Sequence, residues 1–272
     1  MKTLYITDLD GTLLQSNERV STYSAMIINR FIQRGGYFSY ATARSIITAS
    51  KATAGVNIEL PVICANGAFI IESKTREITM SNFFSTDEVG FISSALTALE
   101  IYPLTYALIE GAERVSYIGR YVTNAARYYL DSRSGDPRLR VVQTAEELYL
   151  GSVFCFACLD TETRLIPAKG FFEPDTRFSS LYTKEIYSGE ELFEIRPEKA
   201  TKARAALQLK ATLGCDRMIV FGDERNDLSL FAVADEKYAT ANAVPELKEI
   251  ATAVIDSNDN DGVAKWLEAN VL

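Results

Sequence analysis

The fold of this 272-residue chain can be worked out from one segment near its start, LYITDLDGTLL, residues 4–14. The segment begins as a continuous apolar run rich in β-forming residues, which is typical of a strand buried on both faces. The run ends at Asp8, a second carboxylate follows at Asp10, and Gly11 and Thr12 then turn the chain. Two carboxylates this close together disfavour each other's ionisation, so the pair points to chemistry rather than to packing.

The composition excludes several classes of function. A net charge of −8 argues against nucleic acid or an anionic membrane as a partner. The sequence contains no histidine, which removes the commonest general base, serine triads and most zinc enzymes. Acid–base chemistry must therefore use carboxylates, lysine, tyrosine or a metal ion. We find no transmembrane stretch and no signal segment, and we expect a cytoplasmic protein.

The cysteines do not suggest a redox or zinc site. Cys155 and Cys158 form a C-x-x-C pattern, but they lie within the apolar stretch VFCFACL, which reads as a strand. Residues three apart in a strand point to opposite faces, so the two sulfur atoms should not meet. We interpret both as small core residues.

The elements that follow alternate between strand and helix. The stretch VSTYSAMIINRFIQRGG predicts a helix with Tyr23, Met26, Ile27 and Phe31 on one face. YFSYATAR predicts a strand, SIITASKATAG a helix, and LPVICANGAFIIES two strands joined by a turn at Asn66. This order indicates an α/β fold with a doubly wound, Rossmann-like parallel sheet.

The middle of the chain follows a different pattern. A helix begins near Ser85, and four aromatic-rich strands with two helical stretches follow, the last strand being RFSSLYTKEIY at 177–187. This part predicts an inserted α+β domain with a largely antiparallel sheet. The α/β pattern then returns, and helical segments close the chain. We therefore predict a core formed by residues 1–82 and 196–272 and an inserted cap at 83–195.

Polar side chains follow three of the predicted core strands. The first strand ends in Asp8 and Asp10, and the last, MIVFGDERND, carries Asp223 and Asp227. The second strand ends near Thr42 with an arginine two residues on. Because strand ends of a doubly wound sheet meet at one edge, these carboxylates should converge and require a cation. Oxygen ligands favour Mg²⁺, which in turn favours a phosphorylated substrate. A single aspartate after a strand would more often be a turn or a helix cap.

The sequence DLDGTLL, followed by ATAR, EKATK and FGDERND, resembles the four motifs of haloacid dehalogenase superfamily phosphatases. The similarity is greatest to the Cof-type branch, which has a large inserted α/β cap. CANGAFI, ATANAV and NDNDGVAKWL also resemble that branch. The resemblance covers both ends of the chain, and it covers the cap only by size and position.

The resemblance implies a role for each carboxylate. Asp8 would be the nucleophile that forms an aspartyl-phosphate, and Asp10 the general acid and then the general base. Mg²⁺ would be bound by Asp8, the Asp10 backbone carbonyl and Asp223, with Asp227 supporting this set.

The resemblance also implies a phosphate- or substrate-binding set: Thr42, Ala43, Arg44, Lys202 and Asn226. Lys202 matches the family's lysine position better than Lys199. The family usually has glycine where this chain has Ala43, which affects the conformation of the loop and the direction of Arg44.

Together these features predict a Mg²⁺-dependent phosphatase that hydrolyses phosphomonoesters of small metabolites such as sugar phosphates. The cap would close over the site and select the substrate. We expect a monomer or a weak homodimer that binds neither nucleic acid nor membrane. Two alternatives stay open: a phosphotransferase or phosphomutase with the same chemistry, and a phosphoester-binding regulator without turnover.

Overall fold

The computed structural model describes residues 1–184 and 189–272. These form two compact units, one made of Met1–Ser81 with Thr201–Leu272 and the other of Asn82–Ala200. The predicted boundaries were 82/83 and 195/196. Within the described residues, every helix is too short or too polar to cross a lipid bilayer.

The first unit is built on a five-stranded sheet in which all neighbouring strands are parallel. Its strands, in spatial order, are β14 (Ala253–Ile255), β13 (Glu236–Thr240), β12 (Arg217–Gly222), β1 (Thr3–Thr7) and β2 (Tyr37–Tyr40). Its helices are α1 (Thr22–Gln33), α2 (Ile46–Ala52), α7 (Lys202–Thr212), α8 (Leu228–Val233), α9 (Pro245–Ile250) and α10 (Gly262–Val271).

Both faces of this sheet are covered, which explains the continuous apolar run in β1. On one face Leu4 and Ile6 join a buried cluster with residues of α7, α8 and α9. On the other face Tyr5 packs edge-on against Phe31 of α1, with 5.0 Å between ring centroids, and lies 6.3 Å from Trp266 of α10. Helices on both faces of a parallel sheet confirm the doubly wound class.

Beyond β2 the chain forms a small antiparallel sheet from β3 (Val62–Cys64), β4 (Phe69–Ile71) and β5 (Ile78–Ser81). A parallel bridge between Ala41 and Ile63 links it to the end of β2. The predicted turn between β3 and β4 is a short 3₁₀ turn, Ala65–Gly67.

Two predictions for this unit were wrong in detail. The buried face of α1 consists of Ser24, Ile27, Ile28 and Phe31, whereas Met26 is 56% exposed. The prediction used Met26 because it is apolar, but the sheet contacts the helix along the stripe one position further. The end of the chain also contains two strands, β13 and β14, and not helical segments alone.

The second unit has a six-stranded sheet that is antiparallel except for one pair, β7–β8. Its strands, in spatial order, are β10 (Phe178–Lys184), β11 (Glu191–Pro197), β9 (Ser152–Asp160), β6 (Leu104–Ile109), β7 (Ala112–Ile118) and β8 (Leu139–Val142). Its helices are α3 (Thr86–Ala98), α4 (Asn124–Asp131), α5 (Ala145–Leu148) and α6 (Glu162–Phe172).

The sequence reading missed part of this unit. Three helices rather than two follow α3, because α5 is a single capped turn whose length gives no periodicity to detect. Strand β8 was also missed. The predicted strand 177–187 corresponds to β10 as far as Lys184, and its last three positions lie outside the described residues.

The cysteines of β9 are free and buried, as expected of core residues. Cys158 packs in the cluster formed with α3 and α6, whereas Cys155 Sγ lies 3.9 Å from Glu194 Oε1. Burial raises the pKa of Cys155 to about 11 and that of Cys158 to about 12, so both thiols stay protonated at neutral pH.

Candidate active site

The candidate site lies in the first unit, where the order of the parallel strands reverses. The chain runs from β1 to β2 and β3 on one side, and it later returns to β12 on the other side of β1. A crevice forms at the carboxyl ends of the strands at such a point, and it is the usual place for a ligand. Asp8 directly follows β1 and Asp223 directly follows β12.

At the centre of the site a buried lysine joins two buried aspartates. Lys202 Nζ lies 2.8 Å from Asp8 Oδ1 and 2.7 Å from Asp227 Oδ1. The exposed fractions are 1% for Lys202, 4% for Asp8 and 0% for Asp227. Asp227 Oδ2 also accepts hydrogen bonds from the backbone N–H groups of Asp223 and Glu224, at 3.1 and 3.2 Å. Asp227 thus shapes the loop after β12 as well as pairing with the lysine.

Asp223 is held beside this group by the turn after β1. Thr12 Oγ1 donates to Asp223 Oδ1 at 2.6 Å. Gly11 has a left-handed backbone, with φ of 73°, and a Cβ atom at this position would lie 2.1 Å from Asp223 Oδ2. The glycine is therefore required both by its own conformation and by the carboxylate that packs against it.

Three carboxylates of this site could hold a metal ion together. Asp8, Asp223 and Asp227 each place one oxygen so that all three lie within 4.8 Å of one another. Burial, and then the charge of Asp227, raise the pKa of Asp8 well above its usual range despite the neighbouring Lys202. Burial raises the pKa of Asp223 to about 7, although the hydrogen bond from Thr12 opposes this. In both cases burial is the main cause, and the charge of Asp227 adds to it while Lys202 opposes it.

The same burial and the same carboxylates also shift the pKa of Lys202. Burial alone would lower the pKa of Lys202, but the adjacent Asp227 and Asp8 carboxylates more than offset this and raise it. Lys202 is therefore a fixed positive charge at physiological pH, suited to binding an anion and unsuited to acting as a base.

Asp10 has a different environment from Asp8. Arg44 Nε lies 2.8 Å from Asp10 Oδ2, and Arg44 Nη2 lies 2.5 Å from Asp10 Oδ1, which is a bidentate pair. The same Nη2 lies 2.8 Å from Glu18 Oε2. The Asp10 side chain is 44% exposed. The hydrogen bonds that Arg44 donates to Asp10 are the main reason why the pKa of Arg44 is raised.

Thr42 and Asn226 complete the edge of the site. Thr42 is fully buried, and its Oγ1 accepts from the Arg44 backbone N–H at 3.1 Å, which leaves its hydroxyl hydrogen to donate elsewhere. Ala43 between them is exposed. Asn226, two residues after Glu224, donates from Nδ2 to Asn66 Oδ1 at 3.2 Å.

A family model for haloacid dehalogenase-like hydrolases matches residues 5–267, nearly the whole chain. The chain belongs to this family. The match confirms the predicted superfamily and the predicted enzyme class, a hydrolase.

Two relatives from one organism match this hydrolase over nearly the full length of both chains. It is 27% identical to 5-amino-6-(5-phospho-D-ribitylamino)uracil phosphatase YwtE of Bacillus subtilis, an alignment that covers 96% of this chain and 95% of the relative. It is 23% identical to YitU of the same organism, which is named as the same phosphatase, over 96% of this chain and 94% of the relative.

Among solved structures, TM0651 from Thermotoga maritima matches this hydrolase with a TM-score of 0.80 and 22% identity. That match covers 100% of this chain and 98% of the other. At this identity the likeness supports the fold alone, and it agrees with the α/β core and separate second sheet described above.

In this hydrolase the fold brings most of the predicted site residues together. The residues linked by hydrogen bonds or shared carboxylate geometry are Asp8, Asp223, Asp227 and Lys202, and a second group consists of Asp10, Thr42 and Arg44. Lys199, the alternative to Lys202, is exposed. Arg44 reaches Asp10 from the loop between β2 and α2.

Sequence reasoning missed two residues that contact this hydrolase's site and left a third undecided. The sequence predicts Thr12 only as a turn residue and gives Glu18 no role. For Asn66 it leaves two interpretations open, a residue that lines the pocket and a turn residue that needs no function. The motif could have predicted the contact of Thr12, because a hydroxyl group close to several carboxylates can donate a hydrogen bond to one of them. Glu18 carried no signal in the sequence.

The two additional motifs support the loop after β1. Asn242 Nδ2, from ATANAV, donates to the Gly11 carbonyl at 2.7 Å. Asn258 Nδ2, from NDNDG, donates to the Leu14 carbonyl at 2.9 Å, and Asn258 N donates to Asn242 Oδ1 at 3.1 Å. These amides fix the turn that places Thr12 against Asp223.

Proposed function

We propose that this hydrolase is a Mg²⁺-dependent phosphatase that hydrolyses phosphomonoesters of small metabolites through an aspartyl-phosphate on Asp8. The observation that carries the proposal is the buried lysine at 2.8 and 2.7 Å from two aspartates, beside a third. The Lys202 ammonium would bind an oxygen of a phosphoryl group, and a divalent cation held by the aspartates would offset the remaining negative charge.

The residues present fit a magnesium ion. The donor set consists of carboxylate oxygens within 4.8 Å of one another, and hard oxygen donors without histidine or thiolate favour Mg²⁺. The raised pKa values of Asp8 and Asp223 also fit, because a nearby divalent cation would stabilise both as carboxylates. Asp8, Asp223 and Asp227 would hold the ion, with the Asp10 carbonyl as a further ligand. When bound, the ion would offset phosphoryl charge during transfer.

The first half of the proposed reaction forms the aspartyl-phosphate. A carboxylate oxygen of Asp8 attacks phosphorus, and the bond between phosphorus and the leaving oxygen breaks. Asp10 gives its proton to that oxygen, so the alcohol leaves neutral. Lys202, Thr42 and Asn226 donate hydrogen bonds to the phosphoryl oxygens.

The second half returns the enzyme to its starting state. Asp10, now a carboxylate, takes a proton from water, and the water oxygen attacks phosphorus. The bond between phosphorus and Asp8 breaks, which releases inorganic phosphate and restores the Asp8 carboxylate. Both oxygens of Asp10 accept hydrogen bonds from Arg44 in the structure. To carry the proton, Asp10 would give up one of these bonds, and the other would keep its side chain in place.

The substrate we propose is a small phosphorylated metabolite such as a sugar phosphate. The two relatives named for a phosphoribityl substrate support a phosphate on a polyhydroxylated carbon chain. We also propose that the region 83–195 is the substrate-selecting cap and that the enzyme works in the cytoplasm, as the sequence predicted.

The test measures phosphate release from an aryl phosphate by Asp8→Asn and the wild-type enzyme. The variant should lose all measurable turnover with its circular dichroism spectrum unchanged, since an amide cannot attack phosphorus. Asp256→Asn is a matched control, because the Asp256 carboxylate lies in a surface ion pair with Lys265 at 2.8 Å, and such exposed pairs contribute little to stability. Wild-type activity in Asp8→Asn would refute the mechanism.

A second arm of the test addresses the metal and the acceptor. EDTA should stop turnover reversibly, with Mg²⁺ restoring it, and turnover that persists in EDTA would refute the metal assignment. Products from a panel of sugar phosphates then separate hydrolysis, which yields free phosphate, from transfer, which yields an isomeric phosphosugar.

A further inference from the structure

A turn outside the predicted catalytic set contacts three parts of the phosphate site. This is the 3₁₀ turn Ala65–Gly67 between β3 and β4. The Asn66 backbone N–H donates to the Thr42 carbonyl at 2.9 Å, and the Ala65 N–H donates to the Arg44 carbonyl at 3.0 Å. The turn is thus bonded along the loop that carries Thr42 and Arg44.

The backbone of this turn is unusual. Ala65, Asn66 and Gly67 all have positive φ, at 50°, 54° and 96°. A Cβ atom on Gly67 would lie 2.2 Å from the Thr201 carbonyl oxygen, so the turn is pressed against the start of the helix that supplies Lys202. Non-glycine residues keep this conformation only where the surrounding structure imposes it, and such places are enriched at functional sites.

The Asn66 side chain contacts the third part of the site. Asn66 is 6% exposed, and its Oδ1 accepts from Asn226 Nδ2 at 3.2 Å. Asn226 Oδ1 is itself buried and meets no donor among the described residues. Rotation of the Asn226 amide could bring its oxygen to a donor. The hydrogen bond to Asn66 Oδ1 opposes this rotation, because Asn66 Oδ1 needs the Nδ2 group of Asn226 as its donor.

We propose that Asn66 is a positioning residue that fixes the Asn226 amide so that its second Nδ2 hydrogen is offered to the phosphoryl group. The inference rests on the proposed function, which gives Asn226 its phosphate. Asn66 acts through Asn226 and not by touching substrate. A turn that had only to join two strands would need the backbone conformation but not the amide.

A double-mutant cycle tests this inference. Wild type, Asn66→Gly, Asn226→Ala and the double variant are compared by kcat, KM and the inhibition constant for inorganic phosphate, in saturating Mg²⁺. Glycine keeps the left-handed backbone and removes only the amide. We expect Asn66→Gly to lower kcat/KM about 10-fold and to weaken phosphate inhibition by a similar factor, as for a hydrogen bond that serves a charged group.

The decisive result is the combination of the two changes. If Asn66 acts through Asn226, the double variant should fall within about twofold of Asn226→Ala alone. Effects that multiply, or an Asn66→Gly enzyme within twofold of wild type, would overturn the inference. Ala65→Gly is the matched control for the backbone of the turn, and it should leave kcat/KM within twofold of wild type.

Two further measurements keep the outcome clear. Thermal melting shows whether each variant is folded, and Asn66→Ala removes the same amide should the glycine variant not fold. Alanine is tolerated in this conformation at the adjacent Ala65. If wild type turns over no phosphate ester, the proposed function fails, and calorimetric titration with inorganic phosphate still decides the inference. Equal affinities for wild type and Asn66→Gly, or no binding to either, would overturn it.

Discussion

The raised pKa of Asp223 predicts that the metal-free protein becomes less stable as pH rises. Burial raises this pKa to about 7 in the folded chain, against an ordinary value near 3.8. Between these two values the folded state binds more protons than the unfolded state. The free energy of unfolding therefore falls as pH increases through this window, which is the opposite of the usual behaviour of a paired carboxylate.

The size of the effect follows from one proton. A single group contributes a slope of at most about 1.4 kcal/mol per pH unit between its two pKa values. Over the interval from 3.8 to about 7 the total is at most about 4 kcal/mol. Asp8 shifts in the same direction, and the charge of Asp223 is one of the causes. Replacing Asp223 by asparagine removes its own contribution and the part of the Asp8 shift that the Asp223 charge causes, whereas the part of the Asp8 shift that comes from burial and Asp227 remains in both proteins.

The assay is urea denaturation of wild type and Asp223→Asn between pH 4.5 and 8, in EDTA and then in excess Mg²⁺. In EDTA, the stability of wild type relative to the variant should fall with pH and level off above about pH 7. Carboxylates elsewhere in the chain titrate equally in both proteins and cancel. In Mg²⁺ the fall should disappear, because the ion binds the ionised carboxylates of the folded state.

A flat or rising difference in EDTA would refute this reasoning, since it would mean that Asp223 is ionised in the folded protein at acidic pH without any cation. A fall that persists unchanged in Mg²⁺ would refute the metal assignment of Asp223 and leave the burial argument intact. Each half of the experiment thus tests a separate step.

Three further substitutions test the rest of the site. Lys202→Met should lower the free energy of unfolding in EDTA by about 3–5 kcal/mol, because two buried carboxylates lose their cation; a loss below 1 kcal/mol in urea denaturation would contradict this. Gly11→Ala should lower kcat/KM at least about 10-fold in a phosphate-release assay, because its methyl group would displace the Asp223 carboxylate; unchanged activity would contradict it. Arg44→Ala should reduce kcat about 10-fold more for an alkyl than for an aryl phosphate, because a poor leaving group depends more on the proton that we propose Asp10 to donate; equal losses would contradict it.

The sequence could predict the edge of the sheet at which the site lies. Asp8 and Asp223 each follow an apolar strand, and parallel strands that flank a switch point must bring their ends together. Lys202 was a different case. It begins a helix about 200 residues from Asp8, and no spacing rule brings the two together, so only the family motif could select it over Lys199.

Other contacts could not be predicted, because they depend on the exact course of loops. Glu18 contacts Arg44 from a loop position where its own φ is 60°. A glutamate gives no indication of this left-handed conformation. Strand β14 is three residues long and partly exposed, so its pattern is too short to distinguish from a loop. Met26 was misplaced because α1 meets the sheet along a stripe that apolar character alone does not define.

Asp8 and Asp10 lie close together in the sequence, where each disfavours the ionisation of the other, but the fold gives them different surroundings. Asp8 is buried against Lys202, which offsets part of its charge from within the site and is shared with Asp227. Asp10 is 44% exposed and is balanced by Arg44, which Glu18 holds in turn. Because each carboxylate has its own cation, one of them can change protonation during a reaction while the charge partner of the other stays in place. This separation is what a nucleophile and a proton donor on one strand end require.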